Sequence, residues 1–309
     1  LVGTLGETVT ERSGHLNLGV EGMMLMGGAA GFVTAIRTDS LVLSLLAAMG
    51  GAIAGALFYA VLTVTFRANQ VVTGLALTLF GAGVANTVGK GAVHASTPPH
   101  IQAFFAWQPL RPDLSAIESV PVLGPAAVFL RTVLLEYNIY VYMAVLLAVV
   151  LSLLLHRTRL GLHLRVVGEN PASADASGIR VAATRYGAIL VGGALCGLAG
   201  LYLPLVHNGT WVENITGGRG WIVVALVIFV RWSPLRAMLG ALLFGALEII
   251  GFKLQGFPQL AGNPLFSQYI IGMYPYIITV IVLVANSARK KGGWRGPGAL
   301  GLPYFREER

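Results

Sequence analysis

The sequence lacks the residue patterns with which enzymes most often carry out covalent chemistry. Gly89-Lys90-Gly91 holds its only Gly-Lys pair, without the upstream glycine or the following Ser or Thr of a phosphate-binding loop. Neither the H-E-x-x-H pattern of zinc proteases nor the G-x-S-x-G pattern of serine hydrolases occurs. The six histidines are scattered over separate segments. We therefore predict no catalytic residue, no metal site and no cofactor in this chain.

Polar side chains close to or within apolar segments are the candidates for contacting a solute. Those best placed to line a pathway are Asn17, Glu21, Asn69, Gln70, Thr73 and Asn86 on the early spans, with Glu213 and Asn214 farther along. Asn17 and Glu21 are four residues apart and could share a helix face. Gln70 and Asn86 offer amides, and Trp211 and Trp221 offer aromatic rings, for a solute that carries hydrogen-bonding groups and a flat ring such as a base. Such side chains also join membrane helices to one another, so both roles stay open.

Two polar segments with several glycines adjoin the apolar runs. Residues 7–21, ETVTERSGHLNLGVE, run directly into the first span. Backbone of this kind at membrane depth must be buried in protein or line a cavity, because lipid cannot satisfy its polar groups. The alternative is a solvated cytoplasmic N-terminus. Residues 207–221, HNGTWVENITGGRGW, suit either a broken helix at a transporter cavity or a plain exterior loop.

A third polar segment, residues 156–185, predicts a short helix. Asn170 suits an N-cap, and Pro171 suits the first helical position. The stretch from Ala172 to Ser177 favours helix, and Gly178 is placed to end it. A two-turn helix with a small-residue face is suited to dock into the groove of a partner, whereas an ordinary loop with one helical turn is the alternative.

These segments are embedded in a chain whose composition is that of an integral membrane protein. Apolar residues make up 55% and charged residues 11% of its 309 positions, and its mean hydropathy is +0.74. A soluble domain carries roughly a quarter charged residues. The net charge of +8 comes from short basic clusters between apolar runs. That pattern indicates membrane orientation rather than nucleic-acid binding.

Charge-free apolar runs predict an all-α polytopic membrane protein of about eight spans, with a range of eight to ten and with broken or re-entrant segments. The runs cover residues 22–36, 41–66, 68–89, 137–155, 186–212, 220–230, 237–247 and 254–288. If residues 1–20 start in the cytoplasm, most of the 21 lysines and arginines fall inside and both termini are cytoplasmic. The single domain, residues 1–309, then has an extracytoplasmic loop at 94–136, a cytoplasmic loop at 156–185 and a cytoplasmic tail at 286–309.

Glycines recur at small-xxx-small spacing, at Gly27/Gly31, Gly51/Gly55 and Gly193/Gly197. Such pairs allow membrane helices to approach closely. We therefore expect a compact bundle.

Four long blocks carry a resemblance to a known family. They read ERSGHLNLGVEGMML (11–25), RANQVVTGLALTL (67–79), LRVVGENPASADASGI (164–179) and GRGWIVVALVIFVRWSP (218–234). The chain resembles permease subunits of bacterial ATP-binding-cassette (ABC) importers, in the family of ribose, simple-sugar, branched-chain amino acid and nucleoside permeases. The first and last blocks are most similar to the nucleoside and simple-sugar permeases.

This resemblance implies that residues 168–178 form the coupling helix that rests on an ATPase subunit. The residues concerned are Gly168, Glu169, Asn170, Pro171, Ala172, Asp175 and Gly178. It implies a second permease subunit, identical or homologous, two cytoplasmic ATPase subunits that hold ATP and Mg²⁺, and an external substrate-binding protein or lipoprotein. The expected location is the bacterial inner membrane, in contact with its lipid.

The expected function is import of a nucleoside, or of a simple sugar such as ribose, without catalysis by this chain. The alternative is a secondary transporter driven by an ion gradient, which usually buries carboxylates at mid-membrane. Glu248 is the carboxylate well inside an apolar run, and Lys253 follows five residues later. We interpret this pair as a helix-end feature near the outer surface rather than as a proton relay.

Overall fold

A computed structural model describes residues 1–109, 128, 136–255 and 296–306, with isolated positions between 267 and 284. Its principal α-helices, in chain order, are α1 (Val2–Arg12), α2 (Val20–Thr38), α3 (Leu41–Ala60), α4 (Gln70–Gly89), α5 (Pro99–Ala106), α6 (Ile139–Arg157), α7 (Arg159–Glu169), α8 (Pro171–Ala176), α9 (Val181–Tyr202), α10 (Arg219–Phe229) and α11 (Pro234–Gln255). π-Helical turns at Val61–Thr65 and Leu203–His207 extend α3 and α9. Within the described part, pairing between extended segments is limited to isolated bridges such as Val93 with Trp211.

Four of these helical segments are long and apolar enough to cross a membrane, namely Leu41–Thr65, Gln70–Ala92, Ile139–Arg157 and Val181–His207. Large apolar side chains such as Leu79 and Leu239 are exposed on the outside of the bundle, as expected for a surface in lipid. The prediction of an all-α polytopic membrane protein is confirmed. The number of eight spans stays a prediction, because most of residues 254–288 lie outside the described residues.

Helices α2, α3 and α9 pack together in the centre, with α4 also against α2 and α1 against α9. A Cβ added to Gly27 of α2 would overlap the backbone of Gly197 in α9, and one added to Gly51 of α3 would lie 2.8 Å from the Cβ of Ala30. The glycines at small-xxx-small spacing therefore stand at helix–helix contacts, as the sequence predicts.

Helix α1 shows where the N-terminal segment lies in the bundle. Its residues from Val2 to Glu11 are all buried, and it packs chiefly on α9 and α10. A Cβ on Gly6 would lie 2.6 Å from the carbonyl oxygen of Gly192. The segment is therefore buried in protein, and the alternative of a solvated N-terminus is wrong. The side of the membrane on which each terminus lies stays a prediction.

The two ends of the bundle differ. At one end, which we call the coupling end, the turn after α1, helices α7 and α8, and the tail at residues 296–306 meet. There the N–H of Ala299 donates to the carbonyl of Gly168 at 2.8 Å, and that of Gly301 donates to Gly14 at 3.1 Å. The opposite end holds α5 and residues 208–214, and the chain then returns toward Glu21 near the start of α2, which accepts from the N–H of Gly218. The described part of the 94–136 loop contains α5, and most of residues 110–135 lies outside the described residues.

Candidate functional site

Helix α8 has the boundaries that its sequence predicts. The side-chain oxygen of Asn170 accepts a hydrogen bond from the N–H of Ser173 at 3.0 Å, and Pro171 is the first helical residue. The N–H of Gly178 donates to the carbonyl of Asp175 at 2.9 Å. Gly178 has a φ of +81° with open space around it. Glycine is favoured there because side chains rarely adopt that conformation.

Helix α8 has one anchored face and one open face. On the anchored face, Ala174 is fully buried in a cluster with Val167 of α7 and Val181 of α9. On the open face, Ala172 and Ala176 are exposed. These side chains are small, so the outward surface is smooth and the helix backbone is accessible to another protein.

The tail of the chain binds the acidic residues of this segment. Glu169 accepts a hydrogen bond from the N–H of Gly298 at 3.1 Å. Asp175 accepts one from the Tyr304 hydroxyl at 2.9 Å and pairs with Arg306 at 3.2 Å. Gly168 is buried, and a Cβ there would overlap the backbone of Arg12. Of the residues expected to contact an ATPase, Asn170, Ala172 and Gly178 are exposed, whereas Pro171 is half-buried.

Glu21 and Asn17 belong to two separate hydrogen-bond networks. Asn17 lies before α2 begins, so the expectation that the two share a helix face is wrong. The Asn17 side chain donates to Glu7 at 3.1 Å and accepts from the N–H of Gly19 at 3.0 Å. Glu21 instead accepts from the N–H of Gly218 at 2.8 Å and from that of Gly220 at 2.5 Å. Both side chains thus connect segments of the bundle.

The three candidates at the start of α4 lie at the coupling end. Asn69 caps α4 by accepting from the N–H of Val72 at 3.0 Å. Gln70 is buried and accepts from the N–H of Leu16 at 2.8 Å. Thr73 is also buried. Asn69 and Gln70 therefore satisfy backbone groups at a helix start and in the turn between α1 and α2.

At the opposite end, the structure brings together Asn86 and Asn214. The Asn86 amide donates to Asn214 Oδ1 at 3.3 Å, and the N–H of Asn214 donates to Asn86 Oδ1 at 3.2 Å. Glu213 is exposed beside them. Trp211 is 1% exposed, and its ring stacks on that of Phe32 with centroids 6.4 Å apart. The suggestion that Trp211 stacks on a base is therefore wrong for this structure.

The sequence analysis did not identify Glu7 and Glu11 of α1 as carboxylates that are buried in the bundle. Both are fully buried, and Glu11 accepts from the indole N–H of Trp232 at 2.5 Å. Their i, i+4 spacing on a stretch that also carries Gly3 and Gly6 was the available signal for a packed helix face.

Glu248 pairs with Arg219 of α10 at 2.5 Å, and Lys253 is exposed. The interpretation of Glu248 and Lys253 as a helix-end feature near the outer surface stays a prediction. The Glu248 side chain is 44% exposed and that of Arg219 is 33% exposed. Among the described residues, no group of three or more His, Cys, Asp or Glu side chains could hold a metal ion.

Comparisons with known proteins agree along most of the chain. A family model described as "Branched-chain amino acid transport system / permease component" matches residues 1–285. A putative glucose ABC transporter permease protein, TsgC13 of Haloferax volcanii, is 37% identical over 92% of this chain and 86% of its own length. The nucleoside ABC transporter permease protein NupC of Lactococcus lactis and the guanosine ABC transporter permease protein NupQ of Bacillus subtilis are each 30% identical over 99% of this chain and 92% of theirs. No solved structure matches the chain.

Proposed function

This chain belongs to the family of permease components of the branched-chain amino acid transport system, and we propose that it is the membrane subunit of an ABC importer for a nucleoside. The observation that carries the importer proposal is α8, a short helix capped by Asn170 and ended by Gly178, with its small side chains facing outward. A helix of this shape suits insertion into a groove of a second protein. This chain is a transport subunit, and ATP hydrolysis lies with a separate ATPase subunit.

The contacts of α8 suggest how ATP hydrolysis drives transport. Ala174 fixes α8 to α7 and α9 through a shared apolar cluster. Gly168, at the end of α7, rests on the backbone of Arg12 in α1. A displacement of α8 by closing ATPase subunits is therefore passed to α9, at the centre of the bundle, and to α1, which packs on α9. The ATP and Mg²⁺ belong to the ATPase subunits.

The proposed assembly contains a second permease subunit, identical or homologous, two cytoplasmic ATPase subunits, and an external substrate-binding protein or lipoprotein. The basic clusters that flank the apolar runs favour a cytoplasmic coupling end and cytoplasmic termini. The proposed location is the inner membrane.

A nucleoside is the first choice of substrate. The relatives named as nucleoside and guanosine permeases match 99% of this chain, and the Asn86–Asn214 pair offers amides for hydrogen bonds to a base or a ribose. A simple sugar is the second candidate, because the relative named as a putative glucose permease is 37% identical. Both solutes have a hydroxylated ring, so the pair of amides alone does not choose between them.

The test is uptake into proteoliposomes that contain this subunit with its permease partner, ATPases and binding protein. Uptake of labelled guanosine or uridine that requires internal ATP is the expected result, and uptake of glucose alone would assign the sugar instead. The control is the same preparation without the ATPases under a proton or sodium gradient. Solute accumulation in that control would contradict the ABC importer.

A further inference from the structure

A cavity of 530 Å³ lies at the coupling end, between the end of α3, helix α8, the start of α9 and the tail. Its basic lining residues are Arg67, Arg180, Arg185 and Arg306. Among the described residues that line it, Asp175 is the one carboxylate, and it is already engaged by Tyr304 and Arg306. The described wall of the cavity therefore carries a clear excess of positive charge.

Arg185 is the most informative of these arginines. Arg185 is one of the residues that line the cavity, although it is only 3% exposed. Its Nε and Nη2 atoms have no hydrogen-bond partner among the described residues. A buried guanidinium without an anion is costly, because water is lost and nothing replaces it. Nε and Nη2 are themselves shielded, and Nη2 lies 3.4 Å from the position of a Cβ on Gly14. An anion in the cavity would therefore offset the positive charge of the guanidinium rather than bond to these two atoms.

The start of α9 supplies a second, independent set of donors. Arg180 precedes this helix and gives it no side-chain cap. Val181, Ala182 and Ala183, the first three helical residues, line the same cavity. N–H groups in a first helical turn have no partner within the helix, and the helix dipole favours an anion at that end.

We propose that this cavity binds a phosphate group, held by the Arg185 guanidinium and by the first turn of α9. Phosphate suits the site because its negative charge is attracted by the Arg185 guanidinium and its oxygens accept hydrogen bonds from helix N–H groups. The group belongs either to a free phosphate compound or to the headgroup of an anionic phospholipid at the membrane surface. A bound phosphate would link α9 to Arg306 of the tail, which lines the same cavity.

Inorganic phosphate is the first probe, titrated into the delipidated full-length chain in mild detergent at constant ionic strength. The unfolding temperature should rise with phosphate concentration in a saturable way. Arg185→Gln should weaken the apparent affinity by about tenfold or more, since a positive charge beside the bound anion is lost. Arg180→Ser provides a second variant at an exposed side chain, for which we expect a smaller loss. Arg159→Gln, an exposed arginine of α7 away from the cavity, should bind phosphate like the unsubstituted chain.

Native mass spectrometry of the chain before delipidation separates the two sources. Phosphatidylglycerol adducts that Arg185→Gln loses, Arg180→Ser weakens and Arg159→Gln retains would assign the headgroup. Absence of these adducts alongside phosphate binding would assign a free compound. The proposal would be overturned if phosphate did not change the unfolding temperature of the unsubstituted chain and every variant kept the same lipid adducts. An equal loss of phosphate affinity in Arg159→Gln would also overturn the proposal, because phosphate would then be attracted by positive charge in general rather than bound in the cavity.

Discussion

Glu21 on α2 and Gly218 at the start of α10 are joined by a hydrogen bond of 2.8 Å from the glycine N–H to the carboxylate. The second carboxylate oxygen accepts from the N–H of Gly220 at 2.5 Å. These N–H groups lie at a helix start and lack a partner within the helix. The negative charge of Glu21 also complements the helix dipole. One side chain thus ties α2 to α10 across the bundle.

Replacing Glu21 by Gln should lower the stability of the bundle. A glutamine keeps one acceptor oxygen but turns an NH₂ group toward a backbone donor, which leaves that donor unsatisfied at a cost of about 1–3 kcal/mol. Thermal unfolding in detergent measures the change. Glu213→Gln, at an exposed carboxylate of the same region, is the matched control and should unfold like the unsubstituted chain. Equal unfolding temperatures for the two variants would contradict the capping role.

Two glycine-to-alanine substitutions should have opposite effects. A Cβ at Gly197 of α9 would overlap the carbonyl of Ala48 in α3, whereas one at Gly83 of α4 meets nothing within 4 Å. Gly197→Ala should therefore destabilise the bundle by about 1–3 kcal/mol through overpacking. Gly83→Ala should be neutral or stabilising by up to about 1 kcal/mol, from helix propensity. Unfolding temperatures of both variants decide, and a neutral Gly197→Ala would show that α3 and α9 are not in close contact.

Local sequence signals were sufficient to predict α8, whereas burial of α1 depends on tertiary contacts. The cap at Asn170, the proline at position 171 and the glycine at 178 act within a few residues of one another. The sequence alone therefore predicts the helix and both its ends. Glu7 and Glu11 make the N-terminal segment polar, and only the packing of Gly6 on α9 shows that it is enclosed.

The polar pathway candidates show the same limit. Gln70 and Asn86 are both amides near or in an apolar run, and the sequence gives them equal standing. The structure separates them, because Gln70 is buried against the turn at Leu16 while Asn86 reaches Asn214 at the opposite end. From the sequence, Trp211 could equally face a solute or the core. It lies in the core because it packs against Phe32 and Gly89, which are distant in sequence.

Asn86→Ala and Asn214→Ala should each raise the apparent KM for uptake by about two- to tenfold, the effect of losing one neutral hydrogen bond. Because the two side chains bond to each other, the double variant should show less than the product of the two single effects. Uptake kinetics in the reconstituted system measure this. Asn69→Ala, which removes a helix cap at the coupling end, is the control and should lower stability without changing KM. Unchanged KM in all the Asn86 and Asn214 variants would remove this pair from the pathway.

Uptake by the Glu248→Gln variant should still be driven by ATP and should not depend on the proton gradient. The carboxylate is paired with Arg219 and is 44% exposed, and partly exposed ion pairs contribute only about 0–1 kcal/mol. Uptake with and without a protonophore is the measurement. The contrary result has two parts: the protonophore stops uptake by the unsubstituted chain, and Glu248→Gln abolishes uptake without the protonophore. Glu248 would then be a proton carrier, and the account would be wrong.

The most direct test of the account is whether the exposed face of α8 binds an ATPase subunit. Ala172→Trp places a large side chain on that face, where Ala172 is exposed and makes no core contact, so the fold should be retained. Ala103→Trp, at an exposed alanine of α5 at the opposite end, is the control. Co-purification of the chain in mild detergent, with the ATPase subunit quantified by mass spectrometry, gives the result. The account predicts loss of the ATPase with Ala172→Trp and full retention with Ala103→Trp, at equal unfolding temperatures. Full retention of the ATPase and of ATP-driven uptake by Ala172→Trp would contradict the assignment of α8 as the coupling helix.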